Sequence, residues 1–206
     1  YILASGRFIH KKNYPCLVSA FAQSLETHDY GHSLVILGDG PERAGIERAI
    51  QEHGLAGRVL CPGFREYHVL PICYALADGF VHVSLAEQWG LVINEAAAAG
   101  LPLVVSRPCG AASTLVNEGE NGWLVDADDR SAIAAALGAM MQLTPEDRHE
   151  MGQASARIVG DWGPDRFARG LRDAALVASR APHEKLSMFD KLLFTKLSRL
   201  RIEKVS

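Results

Sequence analysis

Two acidic residues lie in the segment "EQWGLVINEAAAAG" with seven residues between them, Glu87 at its start and Glu95 inside it. Gly90 begins a predicted Ala-rich helix that contains Glu95, and Glu87 belongs to the preceding loop. The free N–H groups and the dipole of a helix start favour an anion. Helical side chains lean toward the N-terminus, so Glu95 can reach back beside that anion and accept hydrogen bonds from neighbouring hydroxyl groups. One acid can serve each of two polyhydroxylated rings, with phosphates between the rings. A ligand of this kind is a nucleotide-sugar.

The elements that must position these acids follow from short apolar runs that alternate with helical patterns. The predicted strands are "YILASG", "HSLVILG", "RVLCPG", "GFVHVS", "LPLVVS" and "NGWLV". The helical patterns between them include "REYHVLPICYALA" and "GAASTLV". This order indicates βαβ units whose strands are buried on both faces. We therefore predict an α/β fold, a doubly wound Rossmann-like parallel sheet of about six strands with helices on both faces.

Extra C-terminal helices follow the sheet, with predicted starts at Asp128, at Thr144 with Pro145 and at Gly163 with Pro164. We predict a Rossmann-like nucleotide-sugar-binding domain at residues 1–180 and a basic amphipathic helix at residues 181–206. The apolar stripe of this tail comprises Leu186, Phe189, Leu193, Leu197 and Leu200, and its basic residues are Lys191, Lys196, Arg199, Arg201 and Lys204. Such a helix indicates contact with a membrane surface; the alternative is packing on another domain or on a second copy of the chain.

The composition limits the class of protein. The chain has 206 residues, of which 48% are hydrophobic, and a formal net charge of −3. These values are typical of a globular chain and argue against a dedicated nucleic-acid binder. Four scattered cysteines without a C-x-x-C pair indicate buried positions in a reducing compartment, so we expect a cytoplasmic protein. Because the chain begins with a predicted strand and without Met, we expect that an N-terminal portion is missing.

In an open parallel sheet, the ligand lies beyond the C-terminal ends of the strands. The loop after the first strand, "GRFIHKKN", contains the basic residues Arg7 and Lys12. The loop after the fourth strand, "SLAEQWG", contains Glu87, and the loop after the fifth, "SRPCGA", contains Arg107. We therefore expect the site at these loops, with Lys11 as a solvated neighbour. For Arg107 a phosphate contact and a solvated surface position both remain open.

Five segments of the chain, in order, resemble the C-terminal, donor-binding domain of family 4 glycosyltransferases. The segments are "GRFIHKKN", "LVILGDGPER", "VLCPGF", "SLAEQWGLVINEAAAAGLPLVVS" and "NEGENGWLVD". The most specific element is the pair Glu87 and Glu95, and "WGLVINEA" is close to the family's usual "FGLVxxEA". The resemblance implies a retaining enzyme of the GT-B fold that uses a nucleoside-diphosphate sugar as donor and needs no metal or other cofactor. It also implies a missing N-terminal domain that binds a glycan or lipid-linked acceptor.

The resemblance also implies a role for individual residues. By this resemblance, Glu95 holds the ribose and Glu87 holds the transferred sugar. Arg7 and Lys12 balance the charge of the diphosphate, and the backbone N–H groups of Gly90, Leu91 and Val92 face it. The base lies near Gly63 and Phe64. Arginine suits bidentate phosphate contacts, and lysine acts as a point charge. Such groups stabilise the negative charge that builds on the leaving oxygen as the sugar departs.

Some features depart from this pattern or permit other interpretations. The family often has a Gly-Gly pair and an acid after the fifth strand, where "SRPCGAASTLV" has one glycine and no acid. A sugar-nucleotide epimerase of the same fold and a noncatalytic nucleotide-binding module are the alternative functions. "GDGPER" resembles a nicotinamide-binding fingerprint, but Arg43 occupies its third glycine position.

Two further candidates receive structural interpretations. Asp126 and Asp128 resemble a metal-binding pair, but we expect Asp128 to be the N-cap of the next helix. His82 lies within a predicted strand, and we expect it to be buried and hydrogen-bonded without a catalytic role.

Overall fold

A parallel sheet forms the centre of the fold. The structure is a computed structural model that describes residues 1–27, 31–181 and 187–197. Its strands are β1 (Ile2–Ser5), β2 (Leu34–Leu37), β3 (Val59–Gly63), β4 (Gly79–His82), β5 (Leu103–Ser106) and β6 (Gly122–Val125). They pair in parallel in the order β3-β2-β1-β4-β5-β6. The predicted doubly wound Rossmann-like sheet is confirmed.

The described residues also form helices, and those before residue 142 cover the two faces of the sheet. The helices are α1 (Tyr14–Thr27), α2 (Arg43–Glu52), α3 (Leu70–Ala75), α4 (Leu91–Ala98), α5 (Ala112–Leu115), α6 (Arg130–Met141), α7 (Pro145–Gly160), α8 (Pro164–Arg180) and α9 (Met188–Leu197). In β1, Ile2 and Ala4 belong to the core that includes α1, α2 and α6, whereas Leu3 belongs to the core that includes α3, α4 and α5. This alternation follows from the pleat of a strand, and it explains why Ile2, Leu3 and Ala4 are all apolar.

The strand β3 departs from the predicted burial on both faces. It lies at the edge of the sheet, and Leu60 and Pro62 are exposed. Edge strands tolerate proline because its missing N–H group is not needed on the unpaired side. The position of β3 at the edge therefore explains both its exposure and its proline.

Two predicted helices are shorter than expected. The pattern "REYHVLPICYALA" forms only α3, with Pro71 in its first turn. Proline fits there because the first helical N–H groups have no partner within the helix, whereas further inside it would break the turn before it. The pattern "GAASTLV" forms only the single turn α5.

The predicted N-cap at Asp128 is wrong by one residue. The Asp129 carboxylate accepts a hydrogen bond from Ala132 N at 2.9 Å, and α6 begins at the next residue. The predicted start at Thr144 is confirmed, since its hydroxyl oxygen accepts from Asp147 N at 3.1 Å. The cysteines are less buried than expected: Cys109 is buried, whereas Cys16, Cys61 and Cys73 are partly exposed.

The chain forms two compact units, Tyr1–Gly163 and Pro164–Ser206. The predicted boundary at residue 180 coincides with the end of α8, which belongs to the second unit. Within the predicted tail, the structure describes α9; the predicted apolar and basic positions Leu186, Arg199, Leu200, Arg201 and Lys204 lie outside the described residues. Among the described residues, no helix is long and apolar enough to cross a membrane.

The topology defines where a ligand can bind. β1 and β4 are neighbours in the sheet, and the helices that follow them, α1 and α4, belong to the cores on opposite faces. Where the chain reverses its winding in this way, a crevice opens at the carboxyl ends of the two strands. The loops after β1 and β4 therefore flank the crevice.

Candidate functional site

The loop after β1 is fixed by backbone hydrogen bonds to two neighbouring loops. Phe8 N donates to Asp39 O, beyond β2, at 2.8 Å, and Leu85 N, beyond β4, donates to Lys11 O at 2.8 Å. Phe8 itself is fully buried. These contacts hold the short 3-10 helix His10–Lys12 at the carboxyl edge of the sheet.

Glu87 forms ion pairs with both lysines of this 3-10 helix. Its Oε2 contacts the Lys12 ammonium group, and its Oε1 lies 3.5 Å from Lys11 Nζ. Only 11% of the Lys12 side chain and 13% of the Glu87 side chain are exposed. Burial alone would raise the pKa of Glu87, but the hydrogen bond and the charge of Lys12, together with the charge of Lys11, outweigh burial and hold that pKa below its ordinary value.

This cluster joins two residues that the sequence predicted separately, Lys12 and Glu87. It also corrects the expectation for Lys11, which is half-buried and contacts the carboxylate, where solvation was predicted. The sequence did not indicate this contact because Lys11 precedes Lys12 in an ordinary basic stretch. Only the path of the 3-10 helix brings both ammonium groups to one acid.

The start of α4 has the geometry of an anion site. Gly90 is the N-cap with φ of +97°, a left-handed conformation that favours glycine. Leu91 and Val92 follow as the first helical residues, and the first internal hydrogen bond runs from Ile93 N to Gly90 O at 2.8 Å. The N–H groups of the first turn are therefore available beyond the end of the helix.

The loop after β5 supports the loop after β4. Gly110 N donates to Glu87 O at 2.9 Å, and Ala111 N donates to Trp89 O at 3.0 Å. A Cβ atom at Gly110 would lie 1.9 Å from Gln88 O, so the two backbones can approach this closely only at a glycine. The single glycine of "SRPCGAASTLV" thus positions the loop that carries Glu87.

Glu95 borders a cavity of about 370 Å³ together with residues of α3. Its Oε2 accepts a hydrogen bond from the Tyr74 hydroxyl group at 2.8 Å, and Tyr74 is 3% exposed. The remaining residues around this cavity are Tyr67, Leu70, Pro71, Ala75, Ala98 and Ala99. The sequence did not single out Tyr74, because a tyrosine in an apolar helical pattern cannot be distinguished from an ordinary core residue.

A second cavity of about 330 Å³ lies at the carboxyl ends of β1, β2 and β3. Arg7 and Phe64 both border it, and Phe64 is 73% exposed. Gly63 immediately precedes Phe64 at the end of β3. Leu70 borders both cavities, so the two are adjacent. The structure therefore places Arg7 and Phe64 in a cavity that adjoins the one bordered by Glu95.

His82 has the structural role that the sequence predicted. It is 3% exposed, and its Nε2 lies 3.0 Å from Ser84 Oγ. Burial, and next the positive charge of Lys12, lower the pKa of His82 to about 3. The imidazole is therefore neutral at physiological pH.

Arg107, Asp126 and Asp128 are the remaining charged residues that the sequence offered as candidates. Arg107 contacts Glu118 Oε1 at 3.4 Å and Leu124 O at 3.2 Å. Asp126 and Asp128 border an open concavity at the start of α6. Among the described residues, no group of three or more His, Cys, Asp or Glu side chains has the arrangement of a metal site.

Comparison with known proteins identifies the family. Residues 1–157 match the family described as "Glycosyl transferases group 1". The chain is 34% identical over 168 residues to the lipopolysaccharide core biosynthesis glycosyltransferase LpsE of Rhizobium meliloti, an alignment that covers 78% of this chain and 47% of LpsE. It is 33% identical over 151 residues to sucrose-phosphate synthase 4 of Arabidopsis thaliana, covering 66% of this chain and 14% of that protein. The chain thus spans less than half the length of these relatives.

A solved structure shows the same fold. The pneumococcal O-GlcNAc transferase GtfA, in complex with UDP and GlcNAc, superposes with a TM-score of 0.74 at 20% sequence identity, over 87% of this chain and 36% of GtfA. The chain therefore belongs to the group 1 glycosyltransferases, and its Rossmann-like sheet corresponds to the C-terminal domain of the GT-B fold.

Proposed function

We propose that this chain is the donor-binding domain of a retaining glycosyltransferase that transfers a sugar from a nucleoside-diphosphate sugar to a glycan or lipid-linked acceptor. Three features that lie at one edge of the sheet together support the proposal. They are the lysine–glutamate cluster after β1 and β4, the start of α4 and the adjacent cavities that contain Arg7 and Glu95.

The diphosphate would bind at the start of α4. The N–H groups of Gly90, Leu91 and Val92 and the positive end of the helix dipole favour an anion there. Arg7 and Lys12 supply positive side chains from the loop after β1. As the bond between sugar and diphosphate breaks, these fixed charges stabilise the leaving oxygen, and loss of one such donor typically costs about 3 kcal/mol of barrier.

The nucleoside would extend from the diphosphate toward β3. The Glu95 carboxylate would accept hydrogen bonds from the ribose hydroxyl groups, and the base would lie near Gly63 and Phe64. The adjacent cavities support this path because Leu70 borders both. The sugar would then lie on the opposite side of the diphosphate, where Glu87 can accept hydrogen bonds from its hydroxyl groups.

Lys12 has two anionic partners in this proposal. It contacts Glu87 in the structure, and the diphosphate would attract the same ammonium group. Lys11 lies beside the other oxygen of Glu87, so it can continue to balance this acid while Lys12 shares its charge with phosphate. The donor would therefore redistribute charge within the cluster and leave no buried carboxylate without a cation.

Catalysis would also require a second domain. Transfer needs the acceptor close to the reacting sugar carbon, and in the GT-B fold we expect the acceptor across a cleft on an N-terminal domain. We therefore propose that the 206-residue chain binds a nucleoside diphosphate but transfers no sugar. Robust transfer by this chain alone, assayed as donor consumption with a broad acceptor panel, would contradict that part of the proposal.

We propose that the reaction needs no metal ion, because side-chain cations and helix N–H groups fulfil the electrostatic role. The full-length enzyme should then keep its activity in EDTA. Abolition by EDTA with rescue by Mg²⁺ or Mn²⁺ would contradict this and point to Asp126 and Asp128 as candidate ligands.

For the tail, we propose peripheral contact with the cytoplasmic face of a membrane. In the described part of α9, Phe189 and Leu192 are exposed apolar residues, and Lys196 is an exposed basic residue. Deletion of residues 186–206 should reduce sedimentation of the protein with anionic vesicles. Unchanged sedimentation would contradict the proposal.

The experiment that tests donor binding is a thermal-shift panel of UDP, GDP, ADP and their sugars. A ligand present at 100 times its Kd should stabilise the chain by about 2.7 kcal/mol. Stabilisation by one base in preference to the others would support the proposal and identify the donor. No stabilisation by any member of the panel would contradict it.

A further inference from the structure

We propose that Tyr74 is a positioning residue that makes this site select ribonucleotides over 2′-deoxyribonucleotides. The inference rests on the proposed function, in which Glu95 accepts hydrogen bonds from the ribose. It adds a residue of α3 to the site and explains how one carboxylate on α4 is held ready for a pair of neighbouring hydroxyl groups.

The contact between the two residues is well defined. The Tyr74 hydroxyl group donates to Glu95 Oε2 at 2.8 Å. A carboxylate has two oxygens with about four lone-pair sites, so this bond leaves Oε1 and part of Oε2 available to a ligand. Both residues border the same cavity, and the hydrogen bond therefore orients the carboxylate at the wall of that cavity.

Tyr74 is itself buried and packed against the sheet. It is 3% exposed, and its ring packs at a tilt against Phe80 of β4, with 5.8 Å between the ring centroids. The donor oxygen is thus fixed relative to the sheet, whereas Glu95 alone would have several rotamers on α4. Fixing the acceptor before the ligand arrives lowers the entropy cost of binding.

The direction of the hydrogen bond is also set. Burial, and next the negative charge of Glu95, raise the pKa of Tyr74 well above its ordinary value. The hydroxyl group therefore stays protonated at neutral pH and acts as the donor, and Glu95 Oε2 acts as the acceptor. A ribose 2′-hydroxyl group can donate to the oriented carboxylate, but a 2′-deoxyribose cannot.

The test is a calorimetric cycle with Tyr74→Phe. UDP, GDP and ADP are titrated first into the wild-type chain, and the tightest binder is then compared with its 2′-deoxy form in wild type and variant. Wild type should prefer the ribonucleotide by about tenfold, as expected for one hydrogen bond to a charged group. Tyr74→Phe should reduce that preference to about twofold, with little change in affinity for the 2′-deoxynucleotide.

Tyr14→Phe is the matched control. Tyr14 is also 3% exposed, and its hydroxyl group has no hydrogen-bond partner among the described residues. This substitution should leave the preference for the ribonucleotide unchanged. In the background of Glu95→Ala, Tyr74→Phe should have no additional effect on binding, because the acceptor that it orients is absent. Far-UV circular dichroism confirms that each variant is folded.

Each alternative outcome is distinct. If Tyr74→Phe keeps the wild-type preference, or weakens both nucleotides equally, Tyr74 has only a structural role and the inference is wrong while the proposed function stands. If Tyr74→Phe does not fold, a wild-type preference retained in Glu95→Ala overturns the inference, because Tyr74 is proposed to act through Glu95. If the wild-type chain binds none of the three nucleotides, the proposed function is wrong and the inference falls with it.

Discussion

Lys12 and Glu87 are 75 positions apart in the chain, yet their side chains form an ion pair at the carboxyl edge of the sheet. The pair joins the loop after β1 to the loop after β4, which are the two loops at the reversal of the winding. It lies mostly out of solvent, so it is screened less than a surface pair would be. The crevice is therefore electrostatically organised before a donor arrives.

The ion pair should make stability depend on acidity. The pKa of Glu87 lies below its ordinary value of 4.5 in the folded chain, so the unfolded state binds more protons as the pH falls. This stabilisation is present above the unfolded pKa and is lost as the pH falls through the folded pKa. In urea unfolding at about pH 6 and about pH 3.5, Glu87→Gln should show a smaller loss of unfolding free energy than wild type.

The control for this comparison is Glu150→Gln on α7, where the residue is exposed. That variant should retain the wild-type difference between the two pH values. If wild type and Glu87→Gln lost the same unfolding free energy between the two pH values, the ion pair would not contribute to the dependence of stability on pH.

His82 should affect stability at higher pH than Glu87. Its folded pKa is about 3 against an ordinary 6.5, so between these values the unfolded state takes up a proton that the folded state does not. Stability is therefore lost as the pH falls below 6.5. His82→Gln should reduce the slope of unfolding free energy between about pH 6.5 and about pH 4.5, and His68→Gln, at an exposed position, should not. If wild type, His82→Gln and His68→Gln had the same slope of unfolding free energy against pH, the pKa of His82 in the folded chain would not be lowered.

Gly110→Ala should disturb the loop that carries Glu87. The new Cβ would lie 1.9 Å from Gln88 O, so the two backbones must separate. We expect a loss of about 2 kcal/mol in unfolding free energy, comparable to overpacking in a core. Gly138→Ala in α6 is the matched control, because its Cβ meets no atom within 4 Å and alanine favours a helix. A Gly110→Ala variant as stable as Gly138→Ala would contradict the close approach of the two loops.

Glu95→Ala should weaken binding of the nucleoside diphosphate because the ribose hydroxyl groups lose their acceptor. The expected loss is about tenfold or more, typical of hydrogen bonds to a charged group. Isothermal calorimetry of wild type, Glu95→Ala and Glu150→Ala measures it, with Glu150→Ala expected to bind like wild type. Unchanged affinity in Glu95→Ala would show that the ribose lies elsewhere.

The fold was predictable because its signals are local. Each strand is an apolar run followed by a helical pattern, and Thr144 with Pro145 marks a helix start by residue type alone. The exact ends were less predictable. Asp128 and Asp129 are both suitable caps, and only the backbone geometry selects Asp129.

The site was predictable where a motif carries it. Glu87, Gly90 and Glu95 lie close together in the sequence, so their spacing indicates their relation to one helix. Tyr74 was not identified and Lys11 was expected to be solvated, because their contacts depend on how α3 and the 3-10 helix pack beside that motif. Contacts between distant segments are a property of the packed fold, and no local pattern marks them.

The proposed donor site is tested most directly by a nuclear magnetic resonance titration of the isotope-labelled chain with UDP, GDP and ADP, which reports where binding occurs. A donor site at the carboxyl ends of β1 and β4 predicts that one of these nucleotides shifts the backbone amide signals of Gly90, Leu91, Val92, Gly63 and Phe64. Signals of α6, which lies on the face of the sheet opposite α4, should remain unchanged. No shift with any of the three nucleotides, or shifts confined to residues 126–131, would contradict a donor site at the carboxyl ends of β1 and β4.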